Sequence, residues 1–142
     1  MKIAKILLVE DDAILARSIP PQMTKYGYRI TGIASSGEEG VALATELQPD
    51  LILMDVDLRG VMDGMAAASA IRQTQNIPIL FLTSHADSER TKKAKAAGPF
   101  YCLLKPLTDR ELAIAIELNL CRHQFEEELR RLTSQLKEAR AT

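Results

Sequence analysis

Residues 50–57 read Asp50-Leu51-Ile52-Leu53-Met54-Asp55-Val56-Asp57, an apolar run that ends in acids. A strand with one wet face alternates apolar and polar residues. One covered on both faces is apolar throughout, as in a parallel sheet between helix layers. Similar runs occur at Ile6-Leu7-Leu8-Val9, at 30–34, at Ile79-Leu80-Phe81-Leu82 and at 101–104, with helical periodicity between them. Strand then helix, five times over, predicts an α/β fold: a five-stranded parallel sheet wound by right-handed crossovers.

The helix boundaries follow from capping chemistry. Ser36 with Glu39 forms a capping box that opens a helix through Leu47, which Pro49 stops, and Thr108 with Glu111 repeats the signature before the last helix. Asp63 caps a third helix running to about Thr74, and a fourth begins near Asp87 and ends at Gly98. In the first, residues 13–26, Pro20-Pro21 removes two backbone donors, which predicts a kink or restart.

With 142 residues, 46% hydrophobic and 26% charged, the chain has the make-up of one globular domain. A net charge of -1 supplies no global field toward nucleic acid or an anionic membrane, so neither is expected as a partner. Cys102 and Cys121 form no CxxC pair and read as reduced thiols. No run is long enough to span a bilayer and no cleavage site follows the N-terminus, so a cytoplasmic location is expected.

In an open parallel sheet, ligands bind at the carboxyl ends of the strands. There this chain places Glu10-Asp11-Asp12 after strand one, Asp55 and Asp57 after strand three, Thr83-Ser84 after strand four and Lys105-Pro106 after strand five. Carboxylates gathered in one crevice repel unless a cation sits among them, and a small oxygen-rich set suits Mg²⁺. Lys105 supplies a point charge and Thr83 a hydroxyl for a phosphoryl group, and Asp55 is a ready nucleophile. Singly, Asp11 or Asp12 can cap the first helix, Thr83 or Ser84 the fourth, and Asp57 and Lys105 can be solvated side chains. Caps do not require this set on four strands in this order.

The segments Ile6-Leu-Leu-Val-Glu-Asp-Asp12, Asp50-Leu-Ile-Leu-Met-Asp55, Ile79-Leu-Phe-Leu-Thr83-Ser84 and Leu103-Leu-Lys105-Pro106 together resemble the response-regulator receiver family, over residues 4–120. The resemblance implies a flavodoxin-like (βα)5 sheet of order 2-1-3-4-5. It implies Glu10 and Asp11 as the acidic pair for Mg²⁺, Asp55 as phosphoacceptor and metal ligand, and Asp57 as a backbone-carbonyl ligand. Thr83 would be the switch hydroxyl, Lys105 the phosphate-binding lysine, and the bond before Pro106 cis. A histidine kinase or phosphotransfer protein is the implied phosphodonor, and the chain is expected to be no enzyme beyond assisting its own phosphorylation and slow dephosphorylation.

The chain departs from the family within Phe100-Tyr101-Cys102-Leu103-Leu104-Lys105. The family's switch aromatic falls on Cys102, and Tyr101, one residue earlier, points to the opposite face of a strand. The expected readout therefore passes through the fourth and last helices without a rotating ring. Asp57 and His85 stand at the two positions that tune the site in this family, where either can reach the phosphoryl group or face solvent. Two rival readings are possible. Asp55-Val56-Asp57 resembles the nucleophile motif of haloacid-dehalogenase-type phosphatases, but Leu58-Arg59 follows where those have a glycine or threonine, and the acidic pair precedes the nucleophile. A pseudo-receiver would be expected to lose Glu10, Asp11, Asp55, Thr83 or Lys105 first, yet all are present.

Nothing breaks the last helix between residues 113 and 139, where Leu118, Phe125, Leu129, Leu132, Leu136 and Ala139 trace a heptad seam. Residues 1–120 are therefore expected to form the receiver and 121–142 a helical extension that pairs with a second copy or a partner. Two arrangements fit: a stand-alone receiver, or the leading receiver of a longer hybrid sensor, since residues 117–130 resemble the helix that joins such receivers to sensory or kinase domains.

Overall fold

A computed structural model describes residues 3–85, 88–96 and 101–141. Its elements are β1 (Lys5–Val9), α1 (Ala13–Lys25), β2 (Arg29–Ala34), α2 (Gly37–Leu47), β3 (Leu51–Asp55), α3 (Gly64–Arg72), β4 (Ile79–Thr83), α4 (Glu89–Lys95), β5 (Cys102–Leu104) and α5 (Asp109–Ala141). The strands form one sheet of order β2-β1-β3-β4-β5, all pairings parallel. This is the predicted architecture.

Strand periodicity sends alternate side chains to opposite faces. Leu7, Val9, Ile52, Met54, Ile79 and Phe81 pack under α2, α3 and α4, while Ile6, Leu8, Leu51, Leu53, Leu80 and Leu82 pack under α1 and α5. Both sets are buried, which is why the runs show no alternation in sequence.

Several boundaries shift. Asp55 and Thr83 are the last residues of β3 and β4, not loop residues, and Tyr101 precedes β5. α3 stops at Arg72, two residues short of Thr74. α4 is capped by Ser88, whose hydroxyl accepts from Thr91 N, so neither Thr83 nor Ser84 is its cap. The predicted limits Asp87 and Gly98, and Phe100, lie outside the described residues. Ser36 accepts from Glu39 N as expected, but the Glu39 carboxylate returns to Ser35 instead of completing the box on Ser36.

The helix α1 runs through Pro20 and Pro21 as one element with no restart. The two missing N–H groups leave the carbonyls of Ala16 and Arg17 without helical donors, but burial of Ile19 and Met23 anchors the helix on the sheet. At the far end, α5 extends for 33 residues, and past residue 120 almost all of it is exposed. No helix among the described residues is long and apolar enough to cross a membrane.

Candidate phosphoryl site

Strand register assembles the site. β1 pairs β3 with Val9 opposite Met54, so the next residues, Glu10 and Asp55, stand side by side. β3 pairs β4 with Asp55 opposite Leu82, and Lys105 N donates to Thr83 O at 2.7 Å, bringing Thr83 and Lys105 to the same edge. The bond between Lys105 and Pro106 is cis.

The carboxylate oxygens of Glu10, Asp11 and Asp55 lie within 4.8 Å of one another. Glu10 and Asp55 are buried, at 1% and 3% exposure. Lys105 Nζ donates to Glu10 Oε1 at 2.6 Å and lies 3.6 Å from Asp55 Oδ1. Burial opposes the Lys105 charge, but its hydrogen bond to Glu10 and the neighbouring carboxylates outweigh burial and hold its pKa above the ordinary lysine value. Burial pushes the Asp55 carboxyl up to about 7, helped by its hydrogen bond and charge contact with Glu10 and opposed by Asp57 N and Lys105. Asp57 N donates to Asp55 Oδ1 at 2.9 Å.

Buried acids thus outnumber the single lysine at this end of the crevice, and the crowding is answered by Asp55 holding its proton nearly to neutrality. A hard divalent cation fits such a donor set. Glu10, Asp11 and Asp55 are the residues that would hold it, and when bound it would neutralise the carboxylates and the incoming phosphoryl oxygens.

Two features were not legible in the sequence. Arg59 donates to Asp11 Oδ2 from its backbone N at 3.0 Å and from Nε at 3.2 Å. Although burial raises the Asp11 pKa, these bonds and the Arg59 charge bring it below the ordinary value. Gly64, the first residue of α3, packs so tightly that a Cβ there would lie 2.1 Å from Asp55 O. A glycine at a helix start after a capping aspartate was the available signal, but only the fold shows what it faces. The cap of α1 is resolved in favour of Asp12, which accepts from Ile14 N at 2.9 Å.

Thr83 is fully buried, and its hydroxyl lies 2.9 Å from Asp57 Oδ2 and 2.8 Å from Thr91 Oγ1. The Asp57 carboxylate also accepts from Ser84 N, so it holds the Thr83 hydroxyl and does not face solvent as a lone loop residue. His85 is exposed and donates its backbone N–H to Thr83 Oγ1 at 3.1 Å. Cys102, at the switch-aromatic position, is buried in the cluster that holds Phe81 and Ala94, and burial pushes its thiol pKa up. The Tyr101 ring lies 4.8 Å below the Arg122 guanidinium of α5.

The response regulator receiver domain family matches residues 6–117. The chain belongs to that family. This receiver is 36% identical over 118 residues to the transcriptional regulatory protein PdtaR of Mycobacterium tuberculosis, covering 83% of this chain and 57% of the relative. To the DNA-binding response regulator MtrA of Mycobacterium leprae it is 30% identical over 122 residues, covering 86% and 53%. The receiver thus spans about half the length of these relatives. Since they are transcriptional and DNA-binding regulators, the expectation of no nucleic-acid partner has no support from them; net charge speaks only for these 142 residues.

Among solved structures, the signal receiver domain of a modulated diguanylate cyclase from Desulfovibrio desulfuricans G20 aligns with TM-score 0.80 and 34% identity, over 88% of this chain and 99% of that one. A fusion carrying a trimeric coiled-coil segment of yeast Spc42 aligns with TM-score 0.81 and 32% identity, over 99% and 94%, so that likeness takes in the extended helix. Family membership places the receiver in two-component signalling, among domains that bind Mg²⁺ at an acidic pocket.

Proposed function

We propose that this receiver is a cytoplasmic phosphoryl-accepting switch. Asp55 takes the group from a histidine kinase or phosphotransfer protein, and Mg²⁺ is held by Glu10, Asp11, Asp55 and the Asp57 carbonyl. One observation carries the reading: buried Asp55 stands within reach of two further carboxylates and 3.6 Å from the Lys105 ammonium. A deprotonated Asp55 oxygen attacks phosphorus in line with the bond to the donor. That bond breaks toward the donor, and Lys105 meets the charge on the transferred oxygens. A cation bound among these acids would favour the ionised form of Asp55 and add to that neutralisation, so no separate general base is required.

The output leaves by α5. Its seam is exposed at Leu118, Phe125, Leu129, Leu132 and Leu136, each about half-exposed or more, and leucines repeated so regularly on a solvated helix fit a second helix. We assign that helix to a second copy, with residues 121–142 as the pairing segment. The half-length overlap with longer relatives also favours a receiver that forms one part of a larger regulator or hybrid sensor.

The test is incubation of the purified chain with a small acyl-phosphate donor, with and without Mg²⁺, beside Asp55→Asn. Mg²⁺-dependent labelling lost in the variant is expected. Equal labelling of the variant would refute Asp55 as acceptor, and turnover of a phosphoester would revive the phosphatase reading.

A further inference from the structure

Thr91 faces the switch threonine from α4. It is fully buried, with its hydroxyl 2.8 Å from Thr83 Oγ1, and it accepts from Ser88 Oγ at 2.9 Å. The Thr83 hydroxyl in turn lies 2.9 Å from Asp57 Oδ2. A carboxylate can only accept, and Asp57 Oδ2 at 2.9 Å is a much nearer acceptor for the Thr83 proton than His85 O at 3.5 Å, so the proton points to Asp57. Thr83 Oγ1 must then accept from Thr91, and Thr91 Oγ1 from Ser88. Asp57 thus orients the Thr83 and Thr91 protons, while Ser88 Oγ has two acceptors in reach, Thr91 Oγ1 at 2.9 Å and, farther off, His85 O at 3.3 Å. Such a chain polarises cooperatively, and its two middle hydroxyls are sealed from water.

We infer that this chain parks the switch hydroxyl away from Asp55 and couples it to α4, with Thr91 as the positioning residue in place of a rotating aromatic ring. The inference builds on the Asp55 phosphoacceptor reading. A phosphoryl group on Asp55 offers Thr83 new acceptor oxygens on the side away from α4. When Thr83 turns to them it leaves Thr91, whose buried hydroxyl then lacks its acceptor, an expensive state in a dry interior. The relief available is a change in the first turn of α4, because Thr91 N is also the donor that Ser88 caps. The thiol at Cys102 has no ring to swing, and Tyr101 is occupied under Arg122. The hydroxyl chain supplies a connection from the phosphoryl site to α4 that uses neither.

The experiment measures amide hydrogen exchange across residues 88–95 and the apparent affinity for beryllofluoride, a phosphoryl mimic, in Mg²⁺. The wild type, Thr91→Val, Thr91→Ser and Ser88→Asp are compared. In the wild type, beryllofluoride is expected to change exchange in α4. Thr91→Val keeps shape without the hydroxyl, so its α4 response should shrink at least threefold and its affinity tighten about fivefold, the worth of one net neutral hydrogen bond. Thr91→Ser should restore both. Ser88→Asp keeps a helix cap but offers only acceptors, drawing the Thr91 proton away from Thr83, and should act like Thr91→Val. Wild-type response and affinity in both Thr91→Val and Ser88→Asp would overturn the relay and leave Asp55 untouched. A wild-type chain that binds no beryllofluoride would end both readings.

Discussion

Lys105 Nζ lies 2.6 Å from Glu10 Oε1, closer than to the Asp55 carboxylate at 3.6 Å. The lysine therefore neutralises Glu10 as much as Asp55. In the proposed reaction a bound cation and a transferred phosphoryl group would both redistribute this lysine, and the pocket's charge balance sets its response to pH and to substitution.

The Asp55 carboxyl, raised from its ordinary value to about 7, makes metal-free stability depend on pH. Between about pH 4 and about pH 7 the folded chain holds a proton that the unfolded chain has lost, so stability falls as pH rises through that window. Thermal melts in chelator should show Tm decreasing from pH 5 to pH 8 relative to Asp55→Asn. Excess Mg²⁺ should flatten or reverse that trend, because the cation favours the ionised carboxylate.

Arg59 holds Asp11 Oδ2 through two donors while its side chain is largely exposed, so in the proposed metal site it would compete with a cation for Asp11. Arg59→Ala removes a positive charge beside the site and one of the two donors to Asp11 Oδ2, the backbone N–H remaining. Mg²⁺ affinity, followed by calorimetry, should rise about threefold, a modest gain because the guanidinium is screened by water. Unchanged or weaker binding would exclude Asp11 from the ligand set.

Gly64 lets α3 approach the carbonyl of Asp55 to a distance no side chain allows. The obstructing atom is backbone at the end of β3, so Gly64→Ala cannot be absorbed by a rotamer change. Urea denaturation should show a loss of about 1–3 kcal/mol, with slower phosphoryl uptake because Asp55 moves with the strand.

Leu129 and Leu132 occupy the middle of the exposed seam. Leu129→Lys with Leu132→Lys should turn a concentration-dependent dimer into a monomer in sedimentation experiments without changing the melting of the receiver, since neither residue touches its core clusters. A wild-type chain that stays monomeric at high concentration would reassign the seam to a different helix.

The sheet and the acids were legible because the three central strands bury both faces, leaving an apolar run with a polar residue at its carboxyl end: Val9 before Glu10, Met54 before Asp55 and Leu82 before Thr83; the half-exposed edge strand β5 repeats the pattern with Leu104 before Lys105. Sequence placed these residues on one edge. It could not show which charge pairs with which, because the Lys105–Glu10 and Arg59–Asp11 contacts join residues 95 and 48 apart. Thr91 reads locally as an ordinary helix residue, and its meaning comes from α4 lying over Thr83. The prolines of α1 are a different case. Of the kink or restart that local propensity predicted, the restart is absent, since α1 is one element across them with Ile19 and Met23 buried against the sheet.

Phosphoryl stoichiometry at Asp55 tests the central claim most directly. The purified chain is treated with an acyl-phosphate donor in Mg²⁺ or in chelator, and intact mass and peptide mapping are read at neutral pH. A single added phosphoryl group is expected on the peptide carrying Asp55, dependent on Mg²⁺ and strongly slowed in Lys105→Ala. Label on another residue, or uptake indifferent to both Mg²⁺ and Lys105, would contradict it.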